Sequence, residues 1–522
     1  MGKQNWRPAW DLEGCEPPWA TGAASTNVHN MFGGSKYLWG NTPALDVLNL
    51  EQNEGLAYRD DIALLFAASG DLRHVVKTIS SLPNQMPQQI RVTMNDREFG
   101  VVARNTILLL LALTAQDYTG SEDNSTPIDM AAALIHVWYS ASFSSGIYFC
   151  LQNRVKSMIS DVCSRAANKP PTDVLSETWR FSGGRSLRLL LKKSEWLQLQ
   201  GLLDIPGDIT PENAAQIRTA VTLAPERADY RDRWYFKDAS PAIRLAKQRF
   251  REDGLLLPFG HPRMAFDIPN PTFFNDSKRW PMDDKSDPSD GWPLLDIQQT
   301  SSPAPNDWYG KLFVYLHNLL ERFLDRLQKI QISFDLYNVD VNELPQYLEF
   351  DRYSRIEVAN ICDGGYLGIR NTLSLLAPSL QSSRYNPHAT FITLFINAVK
   401  EAEKMGYKRE EKSNIEFLTN YLPFPQLSPN IMNDADMVRI HDASGLALNV
   451  NKAFERYMEY VDFEQIATDL GVEMKELNTI AEKWPTQLKL QPREKGAEEE
   501  FRLKLGSGLT NFERYVEWRR VD

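Results

Sequence analysis

The stretch from Asp61 to Ile79, DIALLFAASGDLRHVVKTI, constrains the fold more than any other part of the chain. It begins with an apolar run, Ile62 to Ala67, which is typical of a buried strand. A turn of small residues follows, Ala68-Ser69-Gly70-Asp71, and apolar residues then recur at helical spacing: Leu72, Val75, Val76 and Ile79. This pattern predicts the strand, turn and helix that open a doubly wound α/β sheet, with the helix N-terminus facing a ligand crevice.

The remaining chain supplies the other elements of such a sheet. Further strands are predicted at Ile90–Met94, Ile332–Tyr337, Arg355–Ile361 and Ala389–Ile396. We therefore predict an α/β fold with a Rossmann-like parallel sheet, a large and mainly helical insertion, and a helical C-terminal region. The predicted parts are an N-terminal arm with a short entry helix (1–60), the first half of the core (61–116), a helical and loop-rich insertion (117–330), the second half of the core (331–400) and the C-terminal region (401–522). Length alone leaves open one large domain or two to three domains.

Composition excludes some classes of protein and leaves others open. The net charge of −11 argues against a surface built mainly for nucleic-acid phosphates, although a local basic groove stays open. The four cysteines show no C-x-x-C spacing, which suits reduced thiols in a cytosolic protein or simply small buried side chains. The chain starts without an apolar signal core and has no apolar run long enough to span a bilayer. We therefore expect a cytoplasmic protein with no membrane association.

The predicted strand ends carry the candidate site residues. Ser69, Gly70 and Asp71 form the first turn, and Asp96 follows the second strand, 25 residues after Asp71. An acid at that place commonly binds ribose hydroxyls, although an Asn-Asp pair after a strand is also an ordinary turn. Asp340 follows the third strand of the predicted sheet. The carboxyl ends of parallel strands share one edge, so these residues should gather around a common pocket.

The insertion contains a long proline-rich segment, Leu255 to Pro293, which we interpret as a lid because aromatic residues are frequent in it. Its carboxylates Asp283, Asp284 and Asp287 either bind a metal or satisfy solvent-facing turns. We favour turns and expect no metal, since the cluster lacks histidine. Outside this segment, His136 and His317 lie among apolar residues, which favours structural roles over ligand binding.

Taken together, the strand-end pattern resembles the class I methyltransferase fold over about 62–96 and 332–397. There a glycine turn holds the amino-acid end of the cofactor, the next strand's acid holds its ribose, and a later acid lies by the adenine. The resemblance implies that Ser69, Gly70, Asp71, Asp96 and Asp340 bind S-adenosylmethionine. The turn has one glycine where that family usually has two or three.

Longer motifs carry a second resemblance. WGNTPALDVL, LLFAASGDLRHVVKTI, LLLPFGHPR, WPMDDKSDPSDGW and RIEVANICDGGYLG are similar to a fungal family of proteins of uncharacterised function. Its N-terminal domain is shared with the dynein axonemal assembly factor, whose core looks like a methyltransferase. Some members add a MYND zinc finger, whose cysteines this chain lacks.

Three functions remain open from the sequence. The first is group transfer to a small molecule, most simply methylation, with Asp363 or His261 as candidate bases. The second is a non-catalytic assembly or scaffold protein that binds a protein partner through a degenerate fold. The third is aminoacyl or peptide-bond transfer, in which the basic stretches Arg185–Lys193 and Arg244–Arg251 face a transfer RNA. Fold alone does not choose among them.

Overall fold

A computed structural model describes residues 12–14, 31–115, 128–228, 231–235, 239–275, 278–407, 420–421, 443, 446 and 450–521. It contains a nine-stranded sheet and a separate two-stranded pair, β3 with β6. In chain order the strands are β1 Ile62–Ala67, β2 Ile90–Asn95, β3 Ser142–Phe143, β4 Val174–Phe181, β5 Arg185–Lys192, β6 Ile268–Pro269, β7 Ile332–Tyr337, β8 Arg355–Glu357, β9 Thr390–Phe395, β10 Val472–Met474 and β11 Arg514–Arg520.

The large sheet is mostly parallel. Its strand order is β10-β11-β9-β8-β1-β2-β7-β5-β4. The six strands from β9 to β5 are mutually parallel, whereas β4, at one edge, runs antiparallel to β5. At the other end, β11 runs antiparallel to both of its neighbours, β9 and β10. The predicted mixed α/β fold with a mainly parallel sheet is therefore confirmed.

Helices cover both faces of this sheet. They are α1 Arg73–Ser81, α2 Phe99–Leu113, α3 Met130–Tyr139, α4 Ser145–Cys150, α5 Ser157–Arg165, α6 Lys193–Gly201, α7 Pro211–Thr222, α8 Pro241–Asp253, α9 Leu294–Gln299, α10 Trp308–Lys329, α11 Ile369–Leu376, α12 Ala398–Lys404, α13 Asn451–Val461, α14 Phe463–Leu470 and α15 Ala497–Leu505. A π-helical segment, Leu151–Lys156, joins α4 to α5. Among the described helices, none combines the length and apolarity needed to cross a bilayer.

Alternation along β1 divides the core into two layers. Ile62, Leu64 and Phe66 pack with the helices of the first half and of the insertion. Ala63, Leu65 and Ala67 pack on the opposite face against α11, α13 and α14. All six residues are buried, as a central parallel strand with helices on both sides requires.

Two details of the predicted architecture were wrong. The entry helix does not form, because Leu45 and Val47 donate their backbone N–H groups to side chains of α1, His74 Nδ1 and Thr78 Oγ1. The C-terminal region is not wholly helical, since β10 and β11 extend the sheet. The insertion is mainly helical, as predicted, and it also adds β4 and β5 at the other end of the sheet.

Candidate functional site

The carboxyl ends of β1, β2 and β7 lie side by side, as predicted. Ala67 pairs in register with Asn95, which in turn pairs with Tyr337. The strand order reverses at β1, which has β8 on one side and β2 on the other. In open α/β sheets, ligands bind outside such a switch point. The structure thus brings the turn at Ser69 and the residues after β7 to one edge.

Hydrogen bonds hold the glycine turn firmly against the end of β2. Ala68 and Gly70 both have left-handed backbones, with φ values of 53° and 57°. Ser69 N donates to Asn95 O at 2.9 Å, and Gly70 N donates to Asp96 Oδ2 at 3.1 Å. A left-handed conformation is strained for alanine but not for glycine. The turn is therefore fixed by its neighbours, and one of its amide groups already has a carboxylate partner.

Asp71 is buried and is fully engaged by the chain itself. Its Oδ2 accepts hydrogen bonds from Gly40 N at 2.8 Å and from Trp138 Nε1 at 3.3 Å. Its Oδ1 pairs with Arg73 Nη1 at 2.7 Å, and both side chains of this ion pair are buried. Asp71 thus joins the N-terminal segment, α3 and the start of α1. The anionic group at the N-terminus of α1 is therefore the side chain of Asp71, which belongs to the protein itself.

Arg73 occupies the space beside this turn. Its guanidinium donates to Thr42 O at 2.8 Å and to Thr42 Oγ1 at 2.9 Å. A Cβ placed on Gly40 would overlap the Arg73 side chain, and one placed on Gly70 would lie 3.6 Å from Nη1. The segment around Gly40 therefore lies over the ion pair and leaves no room there for a larger residue.

Asp96 and Asp340 occupy different environments at the same edge. Burial raises the pKa of Asp96, against the hydrogen bonds that its carboxylate accepts from Glu98 N and Gly70 N. Asp340 is partly exposed, and the backbone N–H of Asn342 lowers its pKa. Asn338 connects the two strand ends by donating to Asp96 O at 2.9 Å. Asp96 thus contacts the glycine turn through Gly70. Asp340 instead accepts a hydrogen bond from Asn342 N within a separate turn after β7.

Asp363, a candidate base, closes the end of β9. Its Oδ2 accepts hydrogen bonds from Ile396 N at 3.2 Å and from Asn397 N at 3.1 Å, whereas its Oδ1 has no hydrogen-bond partner among the described residues. Burial raises its pKa to about 6. Next to it, the amide groups of Gly364 and Gly365 donate to the two carboxylate oxygens of Glu401 at 3.1 and 3.0 Å. A second anion position at this edge is thus filled by a side chain.

Sequence reasoning missed Glu357, the last residue of β8, at the switch point. The side chain is buried and its Oε1 accepts a hydrogen bond from Ala359 N at 2.7 Å, but within the described part of the chain its Oε2 has no hydrogen-bond partner. Burial raises its pKa to about 7, and the nearby charge of Arg73 opposes this shift. Ala359 is left-handed, with φ 47°, as Ala68 is at the end of β1. The only signal for this residue in the sequence was a glutamate placed between two apolar residues of the predicted strand, Ile356 and Val358.

His261, the other candidate base, lies away from the strand ends. It lines an apolar pocket of about 530 Å³ formed by α3, α10 and the segment 257–266, together with His136 and His317. His136 is buried and His317 lies 2.6 Å from Asp129, measured from Nε2 to Oδ2. The structure therefore does not bring His261 together with the predicted cofactor residues.

The acidic cluster of the insertion is buried rather than solvent-facing. Asp284 pairs with Arg227 at 2.9 Å, and Asp287 pairs with Lys247 at 3.2 Å. Asp283 accepts a hydrogen bond from Ser286 N at 3.0 Å. All three carboxylates are buried, so the expectation of solvent-facing turns was wrong for Asp283, Asp284 and Asp287.

The two basic stretches also place arginines in the interior. Arg185 is buried and donates to Leu113 O at 3.3 Å and to Ser182 O at 2.8 Å. Arg251 is buried and donates to Asp284 O at 2.7 Å. These two side chains hold carbonyl groups of the fold and do not form an exposed anion-binding groove.

The fold and these strand ends define a mixed α/β protein with a mostly parallel sheet. Its N-terminal region carries a domain of unknown function (DUF4470), matched over residues 38–143. Over 79 residues the chain is 34% identical to Dynein axonemal assembly factor 3 of Danio rerio. This matched stretch covers 15% of this chain and 16% of that protein. The chain thus spans about a sixth of the length of this relative. No solved structure matches.

Proposed function

We propose that the chain is a non-catalytic assembly or scaffold protein built on a degenerate methyltransferase-like core. The observation that carries this proposal is the buried ion pair of Asp71 and Arg73 at the N-terminus of α1. A helix N-terminus at a switch point is where a ligand's anionic group binds in folds of this kind. Here the protein's own carboxylate takes that position, and Glu401 takes the neighbouring one.

The strand order supports the methyltransferase-like part of this proposal. Seven strands are compared: β1, β2, β7, β8, β9, β10 and β11, which are the first to the seventh in chain order. Across the sheet, from β7 to β10, they lie in the order third, second, first, fourth, fifth, seventh and sixth. The first five follow the order of doubly wound nucleotide-binding sheets. The seventh strand, β11, lies reversed between the fifth and the sixth. In this core the side chains of Asp71 and Glu401 fill the two anion positions described above. Such a core suits the binding of a partner better than the transfer of a chemical group.

The similarity to Dynein axonemal assembly factor 3 supports the assembly part. That protein's name describes an assembly factor for axonemal dynein. For this chain we infer the corresponding general role, which is to hold a protein partner. The acidic net charge of −11 favours a protein partner over a nucleic acid.

A second candidate, S-adenosylmethionine-dependent transfer, is favoured by the groups that stay available at the switch point. Asp96 accepts two backbone hydrogen bonds and has lone pairs left for ribose hydroxyls. In the ranges that the structure describes, Glu357 Oε2 and Asp363 Oδ1 accept no hydrogen bond. These residues fit the nucleoside end of such a cofactor. The position for its amino-acid carboxylate does not fit, since Asp71 fills it.

Calorimetric titration of the full chain with S-adenosylhomocysteine distinguishes the two candidates. We expect no binding by the wild type, and none by Asp96→Ala. Binding by the wild type that Asp96→Ala abolishes, at an unchanged melting temperature, would replace the first candidate with the second.

Crosslinking of the full chain in cells, followed by mass spectrometry, tests the assembly role directly. We expect one protein partner at fixed stoichiometry, captured equally well by Asp96→Ala. Its absence, or its loss in that variant, contradicts a role that is independent of the cofactor position.

A further inference from the structure

The pocket beside His261 is separate from the strand ends and has the properties of a small-molecule site. Its volume of about 530 Å³ lies within the usual range for such sites. The walls are mostly apolar and include Ile147, Leu257, Phe266 and Phe313. A binding pocket needs a few polar groups as well, and here His136 supplies one of them.

The proton of His136 is assigned by its neighbour. Ser140 Oγ accepts a hydrogen bond from Leu256 N at 3.2 Å and lies 2.9 Å from His136 Nδ1. Among the described residues the buried hydroxyl of Ser140 has no other acceptor for its proton, so we assign this proton as the donor to an unprotonated His136 Nδ1. Burial lowers the pKa of His136 to about 3, so the ring is neutral at physiological pH. A neutral ring that accepts at Nδ1 carries its proton at Nε2.

This Nε2–H group has no hydrogen-bond partner among the described residues. The ring is 3% exposed and forms part of the pocket wall. It packs between Phe266, at 4.6 Å between ring centroids, and Phe313, at 5.9 Å. Because the described residues supply no acceptor for this N–H group, a ligand oxygen in the pocket can accept its hydrogen bond. The pocket thus combines mostly apolar walls with one hydrogen-bond donor, His136 Nε2, that faces its interior.

Charges at the pocket mouth disfavour an anionic ligand. His317 Nε2 lies 2.6 Å from Asp129 Oδ2, and His317 Nδ1 lies 3.7 Å from Glu321. The carboxylates of Asp129 and Glu321 therefore already flank His317 and repel an anionic ligand. An uncharged ligand also avoids the penalty of burying an ion between Phe266 and Phe313.

We propose that this pocket binds an uncharged aromatic carbonyl compound whose oxygen accepts a hydrogen bond from His136 Nε2. The ring system of the ligand packs against Phe266 and Phe313. This activity is independent of the strand-end site and of the assembly role.

Benzophenone is the probe, and diphenylmethane, which has the same two rings without the carbonyl, is its matched control. Equilibrium dialysis against the full chain measures both affinities. We expect benzophenone to bind up to about tenfold more tightly, which corresponds to one net hydrogen bond. Equal affinities for the two compounds, or no binding of either, overturn the proposal.

Three variants locate the binding. Ala132→Phe fills the pocket from a half-buried position on α3 and should abolish binding of both compounds. Ala215→Phe, at an exposed position on α7, is the matched control and should bind as the wild type does. His136→Leu should remove the preference for benzophenone while diphenylmethane still binds. If His136→Leu does not fold, the two alanine variants decide, since binding that survives Ala132→Phe places the probe elsewhere.

Discussion

At the scale of the residue, this chain satisfies its exposed amide groups with its own carboxylates. A helix N-terminus or a pair of glycine amides is stabilised by any suitable anion, whether it comes from a ligand or from a side chain. Asp71 is held by Gly40, Trp138 and Arg73, and Glu401 is held by two glycine amides. Glycines and carboxylates at strand ends are the residue types that predict a cofactor site. They are also the residues that fill such a site with the protein's own side chains. Sequence alone cannot separate the two, because the closing partners come from distant segments.

The carboxyl of Glu357 predicts a dependence of stability on pH. Its pKa in the folded chain is about 7, against an ordinary value of 4.5. Between these values the folded state keeps a proton that the unfolded state loses, so stability falls as pH rises through this interval. The loss is on the order of 3 kcal/mol above the folded pKa. Glu357→Gln cannot titrate, so its melting temperature should rise relative to wild type from about pH 5 to about pH 8.

Melting curves of both proteins across this range measure the effect. Glu51→Gln, at an exposed position, is the control and should track the wild type at every pH. A difference between Glu357→Gln and wild type that stays constant with pH contradicts the assignment of a raised pKa to this side chain.

At the scale of the element, apolar runs were predictable and charged strands were not. β1 was predicted at its observed bounds, and β2, β7 and β9 to within a residue or two at each end. The meeting of their carboxyl ends at one edge follows from the parallel arrangement of the strands. β11, whose sequence is RYVEWRR, lies in the region that the sequence predicts to be helical. Two of its charged residues, Arg514 and Glu517, are buried against partners outside the strand, which no local pattern reveals.

Glu517 shows how β11 hides a charge in the sheet. Its carboxylate accepts backbone hydrogen bonds from Thr479 and Ile480 at 2.8 Å and from Ala481 at 2.9 Å. A carboxylate with this many donors is satisfied in the interior. The candidate site was predictable to the same extent: its location followed from the strand ends, whereas the closure by Arg73 depends on the distant Thr42.

Trp518 tests whether β11 is a structural part of the core. The side chain is fully buried, donates to Thr393 Oγ1 at 3.0 Å and packs on Phe463. Trp518→Ala should lower the free energy of unfolding by about 3–5 kcal/mol, as other large core truncations do. Val521→Ala, at an exposed position, should change it by less than about 0.5 kcal/mol. Urea denaturation measures both, and equal effects would show that β11 is only loosely attached.

At the scale of the whole molecule, the matched domain is not a self-contained unit. Residues 38–143 include β1 and β2, but the strands that flank them, β8 and β7, lie beyond residue 330. A buried ion pair joins the same parts, because Arg355 Nη2 on β8 lies 2.7 Å from Glu54 Oε2. Separating its partners leaves an uncompensated charge inside the protein. The central sheet therefore depends on segments far apart in the chain.

This dependence predicts that residues 31–143 do not fold alone. Without β7 and β8, both edges of the β1–β2 pair expose unpaired backbone groups and buried apolar side chains. We expect the isolated fragment to show no cooperative thermal transition by circular dichroism and to exchange its amide hydrogens rapidly. Coexpression with residues 144–521 should restore both properties, since that fragment supplies the missing strands. A fragment that melts cooperatively by itself would show that the matched region is an independent domain to which the rest of the sheet was added.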